Sequence, residues 1–139
     1  MQREVTWNPP HASTLESKHK TRFDFKLTNT EGLEAYVEVK SVTYSPKAHL
    51  AAFPDAVSVR AHKHLQALMQ VQQSGKQAYL IFCVQRTDAH HVTAAKEIDP
   101  IYAELLQQAQ KVGVSIHAFL CKMDTEEIKV SHEIPIIWS

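Results

Sequence analysis

The sequence predicts an α/β (α+β) protein in which a mixed β-sheet is flanked by helices. Three observations support this class. Apolar and polar residues alternate through Phe23, Phe25 and Leu27, as in a half-buried strand. The continuous apolar run at 78–84 is typical of a central strand covered on both faces. Two helical patterns, each with a capping residue and a terminal glycine, lie among the strands.

In the first half of the chain, short strands alternate with turn signals. A strand is expected at 4–7, and the Pro-containing, polar stretch 8–21 is expected to be a flexible loop. The strand at 23–27 is followed by the hairpin-type connection 29–32 and a second strand at 36–42. The front of the sheet should therefore be antiparallel.

The second half contains the helices and the central strand. Ser58 is the expected N-cap of a helix that runs to about Ser74, with Gly75 directly after it. Asp99 and Pro100 open a second helix that ends near Gly113. The remaining strands are expected at 78–84 and 114–121, with sheet edges at 128–130 and 134–138.

Length and charge limit the possible functions. The 139 residues fit one domain, 1–139, and 44% hydrophobic with 22% charged residues indicates a globular protein. The net charge is zero, which excludes a histone-like protein that coats nucleic acid by bulk charge. Residues 1–86 nevertheless carry a net +4 and residues 87–139 a net −4, so the basic front remains suited to a polyanion.

The sequence contains no secretory signal and no apolar run long enough to cross a bilayer, so we expect a cytoplasmic protein with no membrane partner. Cys83 and Cys121 lie in apolar, strand-like stretches and form no C-x-x-C pair. Buried, reduced thiols are the expectation for both.

Asp24 and the Glu38-Val39-Lys40 segment are the residues best suited to chemistry. Residues two apart in a strand share a face, so Glu38 and Lys40 point together, and pairing of the two strands brings Asp24 beside Glu38. Two converging carboxylates repel each other, and a divalent cation relieves that repulsion. Glu-x-Lys on a strand is also typical of an exposed cross-strand ion pair, so the pattern alone leaves both interpretations open.

A longer set of motifs resembles the sugar fermentation stimulation protein A family, specifically its C-terminal domain. The matching stretches, in chain order, are 22–25 (RFDF), 36–43 (YVEVKSVT), 53–56 (FPDA), Arg60 with 63–65 (KHL), and 98–99 (ID) with 102–106 (YAELL). The resemblance implies a restriction-endonuclease-like fold of the PD-(D/E)XK type, DNA binding, and metal-dependent nuclease chemistry.

The resemblance also implies roles for individual residues. Asp24 and Glu38 would hold Mg²⁺ or Mn²⁺ with help from the Val39 carbonyl, and Lys40 would complete the catalytic set by positioning the attacking water. Glu4, which matches an upstream Glu-Val stretch of the family, is a candidate extra acid.

Basic residues flank the centre formed by Asp24, Glu38 and Lys40. The family places arginine and a Lys-His pair at the first helix, so Arg60, Lys63 and His64, together with Arg22 near Asp24, are candidate contacts to DNA phosphates. The alternative is an ordinary solvated helix face formed by Arg60, Lys63, His64 and Ala67.

Family members carry an N-terminal OB-like domain, which we expect to be absent here. A homo-oligomer or a separate partner chain is then expected to replace it. The leading hypothesis is a DNA-binding, divalent-metal-dependent nuclease. The alternatives are a non-catalytic DNA-binding or transcription-regulatory module that keeps the nuclease fold, and a stand-alone interaction domain.

Overall fold

The computed structural model describes residues 2–7, 21–123 and 126–138. In chain order, their helices and strands are β1 (Gln2–Trp7), β2 (Thr21–Thr28), β3 (Glu34–Val42), β4 (Leu50–Phe53), α1 (Val59–Gln73), β5 (Gln77–Val84), β6 (His91–Ala94), α2 (Pro100–Val112), β7 (Ser115–Met123), β8 (Ile128–Ile134) and β9 (Ile136–Ile137). The loop expected at 8–21 lies outside the described residues except for Thr21, which begins β2.

The larger sheet has six strands in the order β1-β2-β3-β5-β7-β8. β1, β2 and β3 pair antiparallel, β3, β5 and β7 pair parallel, and β8 returns antiparallel to β7. β5 is the strand predicted to be covered on both faces, and it lies in the interior of the sheet. The predicted mixed sheet flanked by helices is confirmed.

Both helices begin and end at the residues that the capping signals predicted. Ser58 accepts a hydrogen bond from the Ala61 N–H at the start of α1, and Asp99 accepts one from the Tyr102 N–H at the start of α2. Gly113 ends α2 with φ +112°, a left-handed conformation that favours glycine. The two helices pack against each other, α1 also packs on β5, and α2 also touches β6.

A second sheet of three strands, in the order β4-β6-β9, was not predicted. β6 begins at His91, and Pro135 separates β8 from β9. β4 and β6 have four residues each and pair across 41 positions, so neither has a periodic pattern long enough to detect.

The core fills the space between the helices and the two sheets. Its largest fully buried side chains are Tyr102, Phe23, Phe82, Leu65, Leu68, Leu80 and Leu106. Neither α1 nor α2, the helices of the described part, has the length and hydrophobicity that crossing a membrane requires.

Cys83 on β5 and Cys121 on β7 form a disulfide, so the expectation of two reduced thiols is wrong. The parallel register pairs Cys83 with Phe119, and Cys121 follows two residues later on the same face of β7. The two Cα atoms are 5.6 Å apart, a separation that a disulfide spans. Because the cysteines are 38 residues apart in sequence, only the pairing of their strands brings them together.

Candidate active site

Asp24 lies where β2 and β3 stop pairing with each other. Their antiparallel register runs from Thr28–Glu34 to Phe25–Val37, and Asp24 is the next residue of β2. Its Oδ2 accepts a hydrogen bond of 2.8 Å from the Val39 N–H. A side-chain carboxylate therefore binds β3 at the point where the ladder of main-chain bonds ends.

Glu38 is buried in the middle of β3, with 3% of its surface exposed. The register of β2 and β3 brings it beside Asp24, and the two carboxyl groups share a hydrogen bond. On its other side, β3 pairs with β5, where Leu80 is the partner of Glu38. The convergence of Asp24 and Glu38 that the sequence predicted is therefore present, and we call these two residues the acidic pair.

The acidic pair holds a proton near neutral pH. Burial and the hydrogen bond with Glu38 raise the pKa of Asp24 to about 7, although the Val39 N–H acts to lower it. Burial alone would raise the pKa of Glu38, but the approach of His64 and the bond from Asp24 hold that pKa below its ordinary value. Of the two, Asp24 therefore keeps its proton to the higher pH, and Glu38 ionises first.

Lys40 lies on the same face of β3 and is half-buried. Burial lowers the pKa of its ammonium and the charge of Arg60 lowers it further, while Glu38 and Asp24 act to raise it. Its Nζ lies 2.7 Å from Nδ1 of His64. Lys40 therefore joins the acidic pair to helix α1.

The basic residues predicted on one stripe of α1 have different surroundings. Arg60 and Lys63 are exposed, as a phosphate contact requires. His64 and Ala67 are buried, so the interpretation of the whole stripe as a solvated face is wrong. The His64 Nδ1 atom lies 2.8 Å from Oε2 of Glu38, which places this ring beside the acidic pair and not on the surface.

Two other predicted residues are described only in part. Glu4 lies on β1 and Arg22 on β2, where Thr6 is the partner of Arg22. Their side chains lie outside the described residues, so the role of Glu4 as an extra acid and that of Arg22 as a phosphate contact stay predictions.

The donor atoms suit a hard divalent cation held partly by water. No group of three or more His, Cys, Asp or Glu side chains arranged to hold a metal occurs within 2–7, 21–123 and 126–138. Among those residues, however, Glu38 Oε2 is buried and has no hydrogen-bond partner. Since the N–H and C=O of one strand residue face the same neighbouring strand, the Val39 carbonyl also faces the Asp24 side. Two carboxylates, one carbonyl and waters are a ligand set that Mg²⁺ accepts.

A second polar cluster, which the sequence did not reveal, ties α1 to α2. Asp99 is 1% exposed and accepts hydrogen bonds from the N–H groups of Ser58 and Tyr102. His62 Nε2 lies 2.7 and 2.8 Å from its two carboxylate oxygens. The sequence marked Asp99 as a helix cap, but gave no sign of its partner on α1.

We expect Asp24 to make the metal-free protein less stable as pH rises from about 4 to about 7. An unfolded Asp24 loses its proton near its ordinary pKa of 3.8, whereas the folded protein keeps that proton up to a pKa of about 7. Between these values the folded state binds more protons, so rising pH favours unfolding. Urea unfolding in EDTA between about pH 4 and about pH 7 should show that the free energy of unfolding falls more in the wild type than in Asp24→Asn. Parallel curves for the two proteins would contradict the prediction.

Comparison with known proteins gives a consistent result. The family model described as "Sugar fermentation stimulation protein RE domain" matches residues 9–127. The sugar fermentation stimulation protein homolog of Marinomonas sp. (strain MWYL1) is 36% identical over 135 residues, which cover 97% of this chain and 52% of that protein. The homolog of Idiomarina loihiensis is 41% identical over 130 residues, 94% of this chain and 55% of that protein.

A solved structure has the same fold. The structure of Pyrococcus furiosus SfsA in complex with Ca²⁺ superposes with a TM-score of 0.75 at 28% identity, covering 97% of this chain and 55% of that one. The chain thus spans about half the length of the relatives that it matches.

Proposed function

Because the chain belongs to the sugar fermentation stimulation protein family, we propose that it binds DNA and hydrolyses phosphodiester bonds with a divalent cation. Asp24 and Glu38 hold the Mg²⁺ or Mn²⁺, with the Val39 carbonyl as a further ligand. Lys40 is the third catalytic residue. Arg60 and Lys63 contact the phosphates of the DNA on either side of the bond that is cut.

The state of the acidic pair is the observation that carries this proposal. The half-buried carboxyl group of Asp24 and the buried one of Glu38 lie close enough to share a proton, and Glu38 Oε2 has no hydrogen-bond partner among the described residues. A cation replaces the shared proton and satisfies that oxygen. The Ca²⁺ complex of the Pyrococcus furiosus relative supports a site for a hard divalent cation.

The protein residues divide the chemical work. A bound Mg²⁺ or Mn²⁺ lowers the pKa of a coordinated water and offsets charge on the phosphate. Lys40 donates hydrogen bonds toward the attacking water or a phosphate oxygen, which orients the attack and stabilises the charge that develops. The side chains of Arg60 and Lys63 are exposed on α1 and hold the DNA backbone against the centre.

Binding of Mn²⁺ should raise the melting temperature of the wild type by several degrees. At a metal concentration 100 times the Kd, binding adds about 2.7 kcal/mol of stability, which corresponds to a shift of about 10 °C in a domain of this size. Asp24→Asn and Glu38→Gln should each remove most of the shift, because each variant loses a carboxylate ligand. Differential scanning calorimetry with and without Mn²⁺ measures it.

The matched controls are Asp55→Asn and Glu97→Gln, which change exposed carboxylates outside the centre. Both should keep the full shift. A shift that survives in Asp24→Asn and Glu38→Gln would mean that the metal binds elsewhere, and the proposed centre would be wrong.

Removing the two exposed basic residues should weaken DNA binding and its dependence on salt. Each phosphate contact contributes about one unit to the slope of log affinity against log salt. We therefore expect Arg60→Gln/Lys63→Gln to lower that slope by about two, measured by fluorescence anisotropy with duplex DNA in EDTA. The control Lys111→Gln/Lys122→Gln removes two exposed lysines outside the site and should leave the slope unchanged. Equal slopes in all three proteins would exclude the proposed contacts.

A specific observation favours the alternative, a DNA-binding or regulatory module that cuts nothing. Within the described residues the acidic pair is not joined by a third carboxylate, histidine or cysteine ligand in metal-binding geometry. Metal binding and salt-dependent DNA binding, with no cleavage of single- or double-stranded DNA, would support this alternative and contradict the nuclease.

A further inference from the structure

A buried histidine contacts two residues of the proposed centre. His64 on α1 is 7% exposed, and its Nδ1 lies 2.7 Å from Nζ of Lys40 and 2.8 Å from Oε2 of Glu38. The ring is held in place because its helix is anchored in the core by Leu65 and Leu68, which are 1% and 0% exposed. His64 therefore presents one ring nitrogen to the centre from a rigid element.

That nitrogen has two close neighbours, and the geometry favours a hydrogen bond with Lys40 over one with Glu38. An ammonium group can only donate, so with Lys40 charged the Nδ1 atom accepts and the ring proton lies on Nε2. One ring nitrogen cannot accept from Lys40 and donate to Glu38 at the same time. The geometry agrees with the first arrangement, because Glu38 Oε2 has no aligned hydrogen bond within the described residues despite its short distance from the ring.

Lys40 needs such a partner because two forces act on its ammonium. The carboxyl groups of Asp24 and Glu38 attract it, while Arg60 repels it. A lysine side chain is long and flexible, and its charge would otherwise settle on the acidic pair, where it competes with a cation. A neutral acceptor on the helix side holds Nζ next to the acidic pair without adding charge.

We infer that His64 is a positioning residue that accepts a hydrogen bond from Lys40 through Nδ1 and so directs the lysine toward the reacting phosphate. This role rests on the proposed function of the centre. It differs from the phosphate contact that the sequence suggested for His64, since it acts through Lys40.

Two substitutions separate the hydrogen bond from the packing of the ring. His64→Asn places an amide oxygen close to the position of Nδ1, whereas His64→Leu fills the space without an acceptor. Hydrogen-bond partners that orient the ligands of a metal site typically contribute 10- to 100-fold, and we expect the same range for a partner that orients Lys40. We expect His64→Leu to lower kcat for Mn²⁺-dependent DNA cleavage by about that factor with KM within about twofold. His64→Asn should recover most of the loss. The control His90→Leu changes an exposed histidine and should match the wild type.

A double variant tests whether His64 acts through Lys40. In Lys40→Met the partner of Nδ1 is already gone, so adding His64→Leu should cause no further loss of kcat. The inference would be overturned if the two losses of kcat multiply in the double variant. It would also be overturned if the kcat of His64→Asn is no higher than that of His64→Leu. In His64→Leu, a higher KM or a smaller Mn²⁺ thermal shift without a fall in kcat would also overturn the inference, because the inferred role acts through Lys40, which is not a metal ligand.

One measurement does not depend on cleavage. Long-range ¹H–¹⁵N spectra of the ¹⁵N-labelled wild type at neutral pH report which ring nitrogen of His64 carries the proton. We expect Nε2–H with unprotonated Nδ1, and a change of the Nδ1 signal in Lys40→Met. A proton on Nδ1 would mean that His64 holds Glu38, and the inference would fail even for an active nuclease. The expected spectrum without cleavage of any DNA would support the contact and contradict the proposed function.

Discussion

Replacing Lys40 with Met should abolish most Mn²⁺-dependent DNA cleavage while the protein stays folded. A positioned group that orients water and stabilises developing charge contributes on the order of 10² to 10⁴ in rate. Lys40 is half-buried beside the acidic pair and is the lysine whose Nζ meets His64. The rate of nicking of supercoiled plasmid, under single-turnover conditions, measures the effect.

Binding and folding must be measured on the same variant. Lys40→Met should keep the Mn²⁺ thermal shift, since the carboxylates of Asp24 and Glu38 remain, and removal of the competing ammonium can only favour the cation. Lys96→Met, a change of an exposed lysine away from the centre, should cleave at the wild-type rate. Undiminished cleavage by Lys40→Met would remove Lys40 from the mechanism.

Asp99→Ala should strongly destabilise the protein. The substitution removes the N-cap of α2, the bond to the Ser58 N–H, and the partner of His62. Removing one member of a buried pair typically costs 3–5 kcal/mol, and losing a cap alone about 1 kcal/mol. Because His62 retains some exposure to water, we expect the free energy of unfolding to fall by about 3 kcal/mol, measured by urea unfolding.

The pH dependence shows whether the loss of stability comes from the missing carboxylate of Asp99 or only from the cavity that its side chain leaves. Burial acts to raise the pKa of Asp99, but the bonds from Tyr102, His62 and Ser58 hold it below the ordinary value of 3.8. Its stabilising contribution is therefore present above about pH 4 and is lost as the solution becomes more acidic. The difference between wild type and Asp99→Ala should shrink below that pH. Asp55→Asn, an exposed control, should behave as the wild type; a constant difference at all pH values would contradict the explanation.

Local signals in the sequence were sufficient for the large elements. Ser58 with Gly75, and Asp99-Pro100 with Gly113, predicted both helices to within a residue or two. The alternation at 23–27 and 36–42 predicted the hairpin that joins Asp24 to Glu38. These signals work because capping and periodicity depend on neighbours within a few residues.

Contacts between residues far apart in the sequence could not be predicted from capping and periodicity. The second sheet, the Cys83–Cys121 disulfide and the His62–Asp99 pair each join residues about 40 positions apart, and short segments carry no mark of their distant partner.

The burial of His64, by contrast, can be predicted from the spacing of apolar residues along the helix. Ala61, His64, Leu65 and Leu68 follow the i, i+3, i+4, i+7 spacing of a core-facing stripe. A histidine at the second of these positions is expected to face the sheet. His64 shares its basic character with the exposed Arg60 and Lys63, but its position on the helix places it in the core.

The centre is built around the point where β2 and β3 stop pairing. Its four polar side chains, Asp24, Glu38, Lys40 and His64, all come from one continuous part of the chain, β2 through α1. The turn at 29–32 closes the hairpin over a short distance, which costs little loop-closure entropy. His64 joins these residues when α1 packs on β5 and α2, the elements that follow it in the chain. We therefore expect the hairpin to bring Asp24, Glu38 and Lys40 together through early, local contacts, and the packing of α1 on β5 and α2 to add His64 later.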